Sequence, residues 1–118
     1  MKKLLPLLLF VLLAFAGCHH APATYQMSKD PRDFATNAET FTKQVAKYSK
    51  HYSAEEWQVA VEQFVAMSKD FVEKRSALTE DEIMRFDNAR LQFISAVDAN
   101  GNEELVAQVK ELYGNIMQ

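Results

Sequence analysis

From Asp30 to the C-terminus, apolar residues return every three or four positions, the spacing that lines one side of an α-helix. Phe34, Ala38, Phe41, Val45, Tyr48 and Tyr52 fill an arc of about 80° on a helical wheel, a narrow seam. They predict a first helix opening at Asp30-Pro31, a capping side chain followed by the imino acid suited to the first helical position. A second helix carries Trp57, Ala60, Val61, Phe64, Val65, Met67, Phe71 and Val72, and a third carries Ile83, Phe86, Leu91, Phe93, Ile94 and Val97. Both stripes are broad, about 160°, and need more than one neighbour. A fourth helix follows Gly101, capped by Asn100 or Asn102, with Leu105, Val106, Val109, Leu112, Tyr113, Ile116 and Met117 on one side.

The boundaries are written as sharply as the stripes. Ser53 and Glu56 have capping-box spacing, with Tyr52 placed to pack on Trp57; Thr79 and Glu82 repeat it, with Leu78 placed on Ile83. The connections are therefore short, and short links make sequential helices antiparallel neighbours. The expected fold is all-α, an up-and-down antiparallel bundle of four helices over residues 30–118. A variant keeps a three-helix core from Ala54 to Gln118 with the first helix laid loosely along it.

A different pattern opens the chain. Lys2-Lys3 precede an almost purely apolar run from Leu4 to Ala16, which ends in Gly17-Cys18. That is the layout of a secretory signal peptide over residues 1–17. At about 15 residues the run is short of the roughly 20 needed to span a bilayer. Residues 18–29 contain Ala, Pro, Thr, Gln, Ser and His without apolar periodicity, and read as a flexible tether. Cys18 is the only cysteine, so no intrachain disulfide can form in an oxidising compartment.

Phe15-Ala16-Gly17-Cys18 resembles the lipobox of bacterial lipoproteins. That resemblance implies cleavage before Cys18, acylation of its sulfur and amine, and attachment to a membrane through those acyl chains. An ordinary cleaved signal peptide that leaves a free thiol is the rival reading. In the sorting rule of many Gram-negative bacteria, Asp after the lipidated cysteine retains a lipoprotein in the inner membrane. His19 stands there instead, which implies the outer membrane, and the absence of an acidic cluster after Cys18 implies the periplasmic face. Trp57, Lys74-Arg75 and Leu78-Thr79 with Glu82 also resemble small helical lipoproteins of unknown function from Bacteroides-type Gram-negative bacteria, over residues 52–95. This second resemblance implies a lipid-anchored helical fold and lends no catalytic residue.

Charge narrows the partners. Losing the 17 residues before Cys18 removes two lysines and leaves 11 basic against 16 acidic residues, a formal charge of −5 over 101 residues. Without a basic run, the mature chain is unsuited to nucleic acid. His19-His20 with a distant His51 is a poor ligand set for a metal. No cofactor is expected. The chain has no glycine-rich phosphate loop, His-Glu-x-x-His or Gly-x-Ser-x-Gly motif. Asp70 and Glu73 read as the polar side of the second helix, and His51 as a solvated loop residue. Arg90, set between Phe86 and Phe93, must snorkel to water or find a carboxylate such as Asp87. An enzyme is not expected.

Two functions remain. Tyr48, Tyr52 and Trp57, residue types common at binding hot spots, make a candidate surface for docking an envelope protein or a second copy, with core packing the rival reading of the same residues. Alternatively, Phe64, Met67, Phe71 and Phe93 line a pocket within the bundle for a small apolar ligand, although so many aromatics usually mean a filled core.

Overall fold

The computed structural model describes residues 23–118, so the predicted signal peptide, the lipobox-like segment with Cys18, and His19-His20 lie outside the described residues. Four helices follow one another: α1 (Phe34–Tyr48), α2 (Ala54–Lys74), α3 (Glu80–Asn100) and α4 (Glu103–Met117). They alternate up and down as an all-α four-helix bundle.

The capping residues act as their spacing implies. Ser53 Oγ accepts from the Glu56 amide while Glu56 returns a bond to the Ser53 amide, and Thr79 and Glu82 repeat the exchange. Asn102, not Asn100, caps α4 through the Leu105 amide. Gly101 stops α3 at φ 78°, a left-handed conformation costly for any residue with a Cβ. Asp30 caps only a 3-10 turn, Pro31–Asp33, and α1 starts at Phe34. At the other end of α1 a second 3-10 turn, Ser49–His51, replaces the predicted continuation to Tyr52.

The closest helix pairs are not the sequential ones. α1 lies tightest on α3, and α2 on α4, each pair running in the same direction. Side-chain size explains this. The buried positions Ala35, Ala38 and Thr42 of α1 and Ala89 of α3 are small enough to let two backbones approach. Between α2 and α3, whole rings intervene: Phe64 stacks on Phe93 at 4.3 Å and Phe71 on Phe86 at 4.0 Å. The variant with a loosely laid first helix does not hold, because Phe34, Ala35, Ala38, Phe41 and Val45 of α1 are all buried.

Two stripe residues face water: Val72 is 48 % and Leu91 50 % exposed. The α3 residues that bury are Phe86, Ala89, Phe93 and Val97, a narrower stripe than the sequence suggests. Of the tether predicted over residues 18–29, the described part does not hang free throughout, since Ala23 and Tyr25 belong to the core. Burial alternates there, with Ala23 and Tyr25 inward and Thr24 and Gln26 outward, as in an extended strap laid on the bundle.

Candidate functional site

Asp70 is the unusual polar group of this core. Instead of occupying the polar side of α2, it is only 2 % exposed. Its burial requires donors, since an unpaired carboxylate away from water is severely penalised. Lys74, one helical turn on, supplies an ammonium to Oδ1. Tyr25 of the strap supplies its hydroxyl to Oδ2 at 2.5 Å.

Tyr25 is fixed at several points. Its amide donates to Gln63 Oε1 at 2.9 Å, and its ring meets Phe34 edge-on at 6.3 Å. Burial first, then the bond to Asp70 and the charge of Asp70, raise its pKa far above that of a free tyrosine. The phenol therefore remains a proton donor. Glu73 does not share the site and is exposed. The strap overlies Asp70, so the geometry suits a fastening more than a reaction centre. Periodicity could not reveal this trio, because what buries Asp70 lies 45 residues away in sequence. The available signals were a lone aromatic in a polar stretch and the four-residue Asp70–Lys74 spacing.

The predicted interaction surface is largely internal. Trp57 is 4 % exposed, packs edge-on against Phe93, and has no acceptor for its indole N–H among the described residues. Tyr52 sits edge-on to Trp57 at 5.3 Å, the expected staple. Its hydroxyl is buried near Ala23 without a well-aligned hydrogen bond, and burial raises its pKa while the Ala23 backbone lowers it. Tyr48 is half-buried beneath the Lys47 ammonium. Trp57 is thus a core residue, and only Tyr48 and Tyr52 reach the surface.

The predicted pocket is filled. Phe64, Met67, Phe71 and Phe93 are buried, and the two ring stacks occupy the space between α2 and α3. None of them lines the described grooves, which are surface features. The most apolar groove, about 530 Å³, runs between α2 and α4 past Val65, Val72, Leu112 and Ile116, with Lys69, Glu73 and Asn115 at its sides.

Arg90 resolves both ways at once. Its guanidinium pairs with Asp87 at 2.8 Å and covers the Tyr113 ring at 5.2 Å while remaining 22 % exposed. His51 is exposed in its 3-10 turn. Among the described residues, no group of three or more His, Cys, Asp or Glu side chains is placed to hold a metal, and no helix is long and apolar enough to cross a membrane. Comparison with protein-family models, curated proteins and solved structures returns no match.

Proposed function

We propose that this chain is a bacterial envelope lipoprotein. Its acyl chains, carried on Cys18, hold a helical bundle at the periplasmic face of the outer membrane, where it serves as a protein-binding or structural module. The observation that carries this reading is the N-terminal layout, with two lysines, thirteen nearly all-apolar residues, and the only cysteine directly after Gly17. A single acyl chain binds membranes reversibly, and two or three add roughly 0.8 kcal/mol for each buried methylene, so triacylation makes attachment effectively permanent.

The bundle itself supports a binding or structural role over ligand carriage. Its interior is occupied by stacked rings, while the α2–α4 groove leaves apolar side chains on the outside. The deciding experiment is metabolic labelling with a palmitate analogue. Wild type should carry the label and partition with membranes, and Cys18→Ala should do neither. An unlabelled wild-type protein that washes free in buffer refutes the anchor.

A further inference from the structure

The contacts of the strap give its direction along the bundle. Ala23 is buried beside Tyr52, next to the start of α2, whereas Tyr25 reaches Gln63 and Asp70 further along the same helix. Residues 23–25 therefore run alongside α2 in its own direction. The described chain thus begins at the end of the bundle formed by the Ser49–His51 turn and the start of α2. The end of α3 is at that same end, since Ser49, Lys50, Trp57, Ala99 and Asn100 line one groove.

Chain reach then becomes decisive. Five residues from Cys18 to Ala23 span at most about 18 Å, whereas twelve from Cys18 to Asp30 span at most about 43 Å. The longer reach would exceed the 40 Å extent of the folded body and impose no orientation. With the strap seated, the Tyr52 end is confined near the anchor, and the Arg75–Ala77 end lies about 30 Å away, the length of the 21-residue α2. Lys47 and Lys50 are at the near end together with Glu55, Glu103 and Glu104, so mixed charge contributes little and covalent reach does the orienting.

We infer that the Ala23–Tyr25 strap, clasped to Asp70, keeps the Tyr48–Tyr52 end of the bundle nearer than its Arg75–Ala77 end to the lipid surface bearing its own acyl chains. This inference rests on the lipid-anchor reading above.

The sole tryptophan, Trp57, lies at the near end and provides the measurement. Full-length protein made in a lipoprotein-processing host is reconstituted into phosphatidylcholine vesicles containing dansyl-phosphatidylethanolamine, and energy transfer from tryptophan to dansyl is recorded. A parallel sample of the chain from Cys18 onward, coupled through its thiol to a maleimide lipid in the same vesicles, asks the same question without depending on cellular acylation. Transfer from Trp57 should be at least about twofold greater than from the double variant Trp57→Phe/Ser76→Trp, whose tryptophan is at the far end. Tyr25→Ala should remove the difference between ends. A Gly-Ser spacer of about twelve residues inserted between Pro22 and Ala23 leaves the clasp intact but lengthens the reach, and should also remove it. Equal transfer from the two ends with the natural strap, in samples whose circular dichroism is helical, overturns the orientation. A cell-made protein with unmodified Cys18 overturns the anchor reading alone, because the maleimide-coupled sample still decides the orientation.

Discussion

Asp70 retains a place inside the protein because two donors from different parts of the chain converge on it. Removing its carboxylate strands the Lys74 ammonium, whose side chain is only 13 % exposed, and deprives Tyr25 of its acceptor. Asp70→Ala should cost about 3 kcal/mol in urea unfolding. Tyr25→Phe keeps the ring against Phe34 and loses only a hydrogen bond to a charged group, so about 1.5–3 kcal/mol is expected. The two losses should be less than additive in the double variant, since both break one network. The raised pKa of Tyr25 adds a pH signature. Because the folded state holds this proton more tightly than the unfolded chain, its stabilising effect is complete below about pH 10, the ordinary tyrosine value, and declines as pH rises beyond it. Tyr52 and Tyr113 shift in the same direction through burial, so alkaline destabilisation is shared among them. Tyr25→Phe should make the fall of stability above pH 10 shallower; an unchanged slope would contradict the assignment. Nothing in the helix period marks Asp70 as different from Glu73, and only tertiary contact separates their fates.

Helix boundaries were far more legible than side-chain fates. Ser53, Glu56, Thr79 and Glu82 act through bonds within four residues of chain, so their spacing alone determines the outcome. Which helices approach most closely depends on side-chain volumes compared across the bundle, and loop length carries no such information. At the α1–α3 contact, Ala38 has no exposed surface and belongs to a row of small residues. Ala38→Leu should force the two helices apart and cost about 1–3 kcal/mol. Thermal unfolding would measure this; a loss below about 0.5 kcal/mol would mean that small residues do not set that spacing. The roles of Trp57 and of Phe64, Met67, Phe71 and Phe93 stay open in the sequence for a related reason. An aromatic at helical spacing carries the same pattern whether it fills a core, rims a pocket or meets a partner, and only the facing ring of Phe93 or Phe86 tells these apart.

At the scale of the whole molecule, the folded unit begins earlier than the first cap implies. Composition drew the line at Asp30, where helical periodicity starts, because a two-residue alternation over Ala23 to Gln26 is too short to stand out in a polar stretch. Truncation can place the true boundary. A chain starting at Ala23 retains the Tyr25 ring, its contact with Phe34 and both of its hydrogen bonds, and should unfold as the longer chain from Cys18 onward does. A chain starting at Asp30 uncovers Asp70 and Phe34 to water. Burying a tyrosine contributes about 2–3 kcal/mol and ordering the strap offsets part of it, so a net loss of about 2 kcal/mol is expected. For a domain of this size that loss lowers the melting temperature by about 8–16 °C, a shift that calorimetry resolves easily. If the two truncations melt together, the strap is dispensable to the fold, and the clasp can no longer orient the bundle on the proposed anchor.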